Sequence, residues 1–579
     1  MKRFALMLLL IPLLMVACGG QAEPTPTAVP TSGLPTSTPP PTATLASPQV
    51  TASGTDTSHP GLALPIERGT LFSTSGTCAI CHSNMTDSSG ADVSIDSSWR
   101  ASMMANAASD PFWQAALRRE GLLLPDLQPS IEDQCAECHT PMAQRTALND
   151  GETVTLTGEG FLDPQNDYHV MAMDGVSCTL CHQITDEKLG LPASYSGGYI
   201  IDLELPQGER LAYGQYTVDQ AEAETMQNLS GFIPVQGLHI ARAEICATCH
   251  TVYTPSVDDT GRVVDLFPLQ VPYIEWFYSG YRRIASCQVC HMPEAQGGVR
   301  ISTTSTTLRG PFSEHTFVGG NTYMLEVLQT FADELQLTAS GKHFDSSIER
   351  TQTQLQNEAV TVVVDNATIY ENKLYIDVSL ENLAGHKFPT GFPSRRVWLH
   401  FMVRDASGAL IFESGAYNPD GSIVGNNNDE DPQSYEPHHT IIGSTNQVQI
   451  YEIILRDSER NLTTSILRAH NVIKDNRLMP WRSEKTAPWE DVAVRGEAFD
   501  DEDFQGGVDS IQYVVDVGSA QGPFDISVEV LYQSVGFRWA ENLRGLDAAE
   551  IERFLEYYDA VPNIPEVVAT ATYEPDDDD

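Results

Sequence analysis

Five copies of the pentapeptide C-x-x-C-H set the terms for this 579-residue chain: Cys78-Ala79-Ile80-Cys81-His82, Cys135-Ala136-Glu137-Cys138-His139, Cys178-Thr179-Leu180-Cys181-His182, Cys246-Ala247-Thr248-Cys249-His250 and Cys287-Gln288-Val289-Cys290-His291. They use ten of the eleven cysteines and leave only Cys18. No cysteine pair remains to staple the fold, so a disulfide-dependent secreted scaffold is excluded. What these five units bind therefore governs the architecture.

Two thiols three residues apart lie on one helical turn and suit thioether bonds to the two vinyl groups of a haem. The adjoining His then sits under the iron as an axial ligand. A single C-x-x-C is equally a redox dithiol or half a zinc site. Five repeats, each followed by His and together consuming every cysteine after Cys18, point to five covalent haem c groups. Their proximal ligands are His82, His139, His182, His250 and His291. Five haems between Cys78 and His291 leave little protein per cofactor, so neighbouring irons are expected close enough to exchange electrons.

The sixth ligand separates electron relay from catalysis, because an empty position can bind a small molecule. Ten further histidines exist. His59 lies in a Pro-rich stretch and is not expected to ligate. His169 stands nine residues before Cys178, His239 seven before Cys246, and His315 follows the last motif. Each is a candidate distal ligand, the plainer alternative being an imidazole satisfied by its surroundings. Met103 and Met104 follow Trp99 on an expected helix whose face carries Trp99, Met103 and Ala107. Either could ligate the first haem, although methionine more often fills core space against aromatic groups. His386, in Gly385-His386-Lys387-Phe388-Pro389-Thr390-Gly391, folds back onto a haem or merely closes its loop.

From about Gly61 to Leu337 these residues resemble the multihaem cytochromes c of the c-552/c-554 type. In that group a His upstream of a "GVSC..CH" element commonly ligates a neighbouring haem, which here is His169. An "H-x-F-x-G-G-N" element after a final "C..CHMP" commonly does the same, which here is His315.

Beyond about Val360 the period changes to two. Leu374, Ile376, Val378 and Leu380 alternate with polar residues, as do Val397, Leu399, Phe401 and Val403 with Trp398, His400, Met402 and Arg404. Further strands are expected at Leu410–Phe412, Val448–Leu455, Ile511–Val517 and Phe524–Tyr532, which together read as an antiparallel β-sandwich. His400 is either exposed or turned to the haem region. Asp547 and Glu550 form an expected capping pair for a helix with an Ile551, Phe554, Leu555, Tyr558 stripe. Asn426 to Asp431 offers oxygen ligands suited to calcium, against the simpler reading of a solvated acidic loop. The elements 385–391, 435–439 and 474–480 resemble the β-rich carboxyl-terminal part of larger multihaem cytochromes.

At the amino end, Lys2 and Arg3 precede thirteen residues, Phe4 to Val16, too few for the about 20 that span a bilayer. They match a signal peptide, and Met15-Val16-Ala17-Cys18 resembles a lipoprotein cleavage box. An ordinary signal peptide with an incidental cysteine is the alternative. Gln21 to Pro60 holds nine Pro, ten Thr and five Ser, which cannot bury enough apolar area to fold. The expected division is 1–17 signal peptide, 18–60 lipid anchor and linker, 61–340 pentahaem domain, 341–358 connecting helix, 359–540 β-sandwich-like domain, 541–562 helix and 563–579 acidic tail.

The fold class expected is α+β, a helical and loop-rich haem domain followed by the sandwich. A net charge of −45 argues against nucleic acid as a partner. The function expected is an exported bacterial cytochrome, anchored by lipid at Cys18 in the periplasm or on the cell surface, passing electrons between redox proteins. The alternative is an oxidoreductase acting on a small nitrogen or sulfur compound at a haem with an open axial position. Pentahaem nitrite reductases resemble it in haem number, but their active haem has Lys where all five motifs here have His.

Overall fold

Where polar and apolar residues alternate, the chain builds two sheets that close on one another. In a computed structural model, which describes residues 59–486 and 489–573, the first sheet runs Val360–Tyr370, Lys373–Asn382, Val508–Asp516 and Ile441–Ile442. The second runs Ile450–Tyr451, Arg396–Arg404, Asp525–Gln533 and Glu566–Thr572, with Leu410–Ser414 also pairing with Arg396–Arg404. All pairings are antiparallel except that of Ile441–Ile442 with Val508–Asp516. The inward residues predicted from the alternation, among them Ile376, Val378, Leu399, Phe401 and Val403, share one core with Ile511, Tyr513, Val528 and Val530. Phe401 lies flat on Tyr513, ring centres 3.7 Å apart. Fully burying one such side chain contributes about 1.5–3 kcal/mol, so this face alone fixes the register of both sheets.

On the other face, His400 stands opposite Glu529 in the register and is held between the Glu529 and Glu413 carboxylates, 3.0 Å from each. It therefore serves the sheet surface and makes no approach to the haem motifs. Trp398, on the same face, is buried against Ile423, Val448, Ile450 and Leu531. A smaller sheet of Ile453–Arg456, Leu462–Thr463 and Asn471–Asp475 extends beside the sandwich.

The cysteine-bearing half is built from short helices and turns. Its longer helices are Pro111–Leu123, Gln128–His139 and Pro141–Asp150. Asp110 starts the first by accepting from the Phe112 and Trp113 amides, with Pro111 supplying a preset φ at the first position. The helix expected through Trp99, Met103 and Ala107 stops at Trp99, and Met103 and Met104 lie in a run of turns. Thr322–Thr330 and Gly341–Glu358 are helices leading to the sandwich.

The last helix, Ala549–Ala560, packs on Pro111–Leu123 and so returns to the haem half. It begins after Ala548 with no side-chain cap, so Asp547 and Glu550 do not form the expected pair. Its buried stripe is Ile551, Phe554, Tyr557 and Tyr558, with Leu555 only half-buried. All described residues fall in the unit Thr55–Asp579. The architecture is α+β. Among the described residues no helix is long and apolar enough to cross a membrane. The signal-like segment, Cys18, the linker up to Ser58 and the final Asp run lie outside the described residues. His59 is buried, with Nδ1 2.6 Å from Asp333 and Nε2 on the Leu337 carbonyl at 2.9 Å.

Candidate functional site

All ten motif cysteines and all five motif histidines line a single continuous cavity of about 1320 Å³. That exceeds the roughly 300–1,000 Å³ of an ordinary small-molecule pocket. Each motif begins on or at the end of a short helical turn: Ser75–Ala79, Gln128–His139, Cys178–Cys181, Ala243–Ala247 and Cys287–His291. No disulfide joins any two of the ten cysteines. Cys78 lies beside Cys178, Cys138 beside Cys249, and Cys246 beside Cys287. These neighbours put the first motif next to the third, and the fourth next to both the second and the fifth.

Local chemistry fixes the motifs in place. Ser75, opening the first motif's helix, donates its amide to Asp174 at 2.7 Å and its hydroxyl to the same carboxylate. Burial raises that carboxyl to about 6. Asp174 directly precedes the Gly175-Val176-Ser177-Cys178 stretch, so one carboxylate ties motif one to motif three. Gly175 has φ +61°, and a Cβ there would meet the Ala105 carbonyl oxygen at 2.5 Å, which is why glycine leads into this motif. Val176 in turn donates to the Met104 carbonyl at 3.0 Å, and Trp99 Nε1 to the Val176 carbonyl at 3.0 Å.

Four of the motif histidines place Nδ1 on a backbone carbonyl: His82 on Ile301 (2.5 Å), His139 on Ala107 (3.1 Å), His182 on Tyr213 (2.6 Å) and His291 on Val318 (2.6 Å). An Nδ1–H donor leaves the Nε2 lone pair for a metal and sets the ring's orientation. Burial holds all five imidazoles below their ordinary range, His139 and His250 at about 4, so they are neutral as iron ligands must be.

Of the ten other histidines, two line the cavity, His315 and His386. His315 faces His182 across 6.4 Å between ring centres with planes 17° apart, and His386 faces His291 across 6.2 Å at 18°. A metal bonded to an imidazole nitrogen on either side, at roughly 2 Å each, separates ring centres by roughly 6 Å. His315 places Nδ1 on the Ser313 carbonyl (3.1 Å) and His386 on the Lys387 carbonyl (3.0 Å), again leaving Nε2 to the gap.

His169 has the same disposition, with Nδ1 2.9 Å from the Phe161 carbonyl, but lies off the cavity wall. His239 is also off the wall, its Nε2 2.8 Å from the Ile184 carbonyl. Met103 and Met104 both line the cavity. His139 stacks on Trp113, ring centres 4.3 Å apart.

The remaining wall suits haem c. Buried Thr77 Oγ1, Gln288 Oε1, Asn321 Oδ1 and Gln354 Oε1 have no protein partner, and each residue lines the cavity. Arg68 and Arg395 reach it as well and would offer cations to propionates, while Arg309 on the same wall is paired with Glu222 at 2.7 Å. The residues present thus fit covalent haem with a protein imidazole below the iron.

Elsewhere, Asp429 Oδ1 accepts from Arg396 at 2.9 Å and its Oδ2 from the Ile423 amide at 2.8 Å, so a protein cation holds the loop considered for calcium. Sequence reading missed a buried group of His438, Asp501 and Asp509. His438 Nδ1 accepts from Gln449 (2.9 Å) and Asn476 (3.1 Å), whose amide oxygens take the His439 and Glu452 backbone N–H. The proton therefore sits on Nε2, donated to Asp501 at 2.9 Å, and no lone pair faces the carboxylates.

Residues 77–183, spanning the first three motifs, match the family model described as cytochrome c554 and c-prime. No curated protein matches the chain. Among solved structures, the penta-heme cytochrome c552 from Thermochromatium tepidum is similar at 17% identity, over 83% of this chain and 95% of that one, with a TM-score of 0.46. Over residues 77–183 the chain is therefore similar to that cytochrome family, and the two later motifs repeat the same C-x-x-C-H element on the wall of the same cavity.

Proposed function

We propose that the chain carries five covalent haems as an exported electron carrier, tethered through a lipid on Cys18. The observation that supports it most is that every C-x-x-C-H motif opens into the same cavity, so no cofactor would be isolated from the rest. Haem supplies one-electron chemistry at a potential set by its axial ligands and burial. The protein's part is to hold each imidazole neutral and oriented, to pack neighbouring motifs against each other, and to exclude water from the interior.

The first and last motifs reach the surface. Ile80 is 54% exposed and Val289 60%, whereas at the same position of the other three motifs Leu180 and Thr248 are buried and Glu137 is half-buried. Electrons would enter and leave beside Cys78–His82 and Cys287–His291, where redox partners can dock.

A second reading keeps an axial position for substrate. It is favoured by the count of imidazoles: only His315 and His386 face motif histidines, which leaves His82, His139 and His250 without a second His on the cavity wall. Two measurements on the purified protein test both readings. Haem content should be five per chain; a lower number overturns the five-haem array. Carbon monoxide added to the reduced protein should leave the spectrum unaltered for a pure carrier. A high-spin signal that moves on carbon monoxide, together with turnover of a small nitrogen or sulfur oxyanion, would instead establish the catalytic reading.

A further inference from the structure

Four charged side chains are buried together where the β half meets the haem cavity: Glu275, Lys387, Asp475 and Arg477. Lys387 Nζ lies 2.7 Å from Asp475 Oδ2, and Arg477 grips both Asp475 oxygens at 2.9 and 2.8 Å. Arg477 Nη1 also lies 3.3 Å from Glu275 Oε1. Two cations thus balance two anions. Glu275 comes from the haem half, on helix Pro272–Phe277, and the other three come from the β half. Its second oxygen accepts the Lys387 amide at 3.1 Å and the Thr390 hydroxyl.

Glu275 therefore holds the loop 385–391 at Lys387 and Thr390. The same loop is pinned at Phe388 by paired backbone bonds to Leu478, and Asn382 donates to the His386 carbonyl at 2.8 Å. Gly385 sits against Trp276 of the haem half, where an added Cβ would lie 3.2 Å from the indole. The one residue of this clamped loop with no tertiary partner at its Nε2 is His386, whose ring stands 6.2 Å from that of His291.

We propose that the β half supplies the sixth ligand of the last haem, His386 opposite His291, and that Glu275 is its positioning residue. This rests on the reading that the Cys287–His291 motif carries haem.

The test uses the full haem-loaded chain. His386→Ala should keep its haem content, gain one carbon-monoxide-binding, high-spin haem per chain, and return to low spin when imidazole is added. His386→Met should stay low-spin with one midpoint potential raised, since Met replaces an imidazole. Glu275→Gln should leave a fraction of that same haem five-coordinate, also rescued by imidazole, with the other haems unaltered.

Carbon monoxide uptake equal to wild type in His386→Ala at full haem content overturns the ligand. If that variant fails to mature, an unshifted set of potentials in His386→Met does so. A wild-type spectrum in Glu275→Gln, with only a lower melting temperature, overturns the positioning role. A Cys287→Ser, Cys290→Ser variant is the control. If its haem content does not fall by one, the underlying reading of the motif has failed, not the ligand assignment.

Discussion

At the residue scale, the histidines divide by what satisfies their two nitrogens. The motif histidines were legible because their identity is fixed by two adjacent cysteines. His315 was legible only through a resemblance, and His386 as one of two options for a loop, because opposition to His182 or His291 is made across 133 and 95 residues of chain. His169 and His239 have equally suggestive spacing, yet lie off the cavity wall. His400 shows the other fate. Burial opposes its charge, but the hydrogen bonds it donates to Glu529 and Glu413 outweigh that and raise its pKa. A histidine with a raised folded-state value stabilises fully below about 6.5 and loses that contribution as pH climbs through the folded value. His400→Gln should therefore cost about 1 kcal/mol at pH 6 and almost nothing well above the folded value. Equal losses across that range in denaturant titrations would discard the ion-pair account.

Single elements matter here chiefly for what they carry across the molecule. Helix Pro111–Leu123 carries Arg119 and Glu120, both buried, near its end. Glu120 accepts from Ser465 Oγ (2.6 Å), the Ile466 amide (3.2 Å) and the Leu467 amide (3.4 Å), while Arg119 donates to Thr464 Oγ1 at 2.9 Å. The helix thereby brings Ile466 and Leu467 from the β half onto the cavity wall. Glu120→Ala strands the Arg119 charge and two amides, so it should cost about 3–5 kcal/mol. A melting temperature within a degree of wild type would argue against that contact. Periodicity identified the central strands, because burial on one face is a local rule, but it left Glu566–Thr572 in the expected acidic tail 563–579 and read Ile450–Tyr451 and Ile453–Arg456, which join different sheets, as one strand. It missed the end of the helix at Trp99, where the Met104 carbonyl turns to the Val176 amide instead of continuing the ladder.

For the whole molecule, the large acidic excess acts at long range. With 78 acidic and 33 basic residues, a cationic mediator should reduce the protein at least ~10-fold faster at low salt than an anionic one of equal potential. The two rates should converge as ionic strength rises and the charges are screened. Stopped-flow reduction with a mediator pair measures this, and equal rates at low salt would rule out steering by the net charge. The apolar and neutral-imidazole interior, by contrast, is insulated from that surface field, so the same salt series should leave the haem spectra unaltered.

The sequence by itself determined the chemistry of attachment, since C-x-x-C-H places two thiols and an imidazole within one helical turn. It also determined the central sandwich strands, through a period of two. Only the tertiary structure decided which imidazoles share a gap, that all five motifs open into one cavity, and that the β half belongs to its wall. Those are relations between segments distant in the chain. They are set by packing, by buried charge pairs such as Lys387 with Asp475, and by carbonyls such as Val318 that orient a ring from another element.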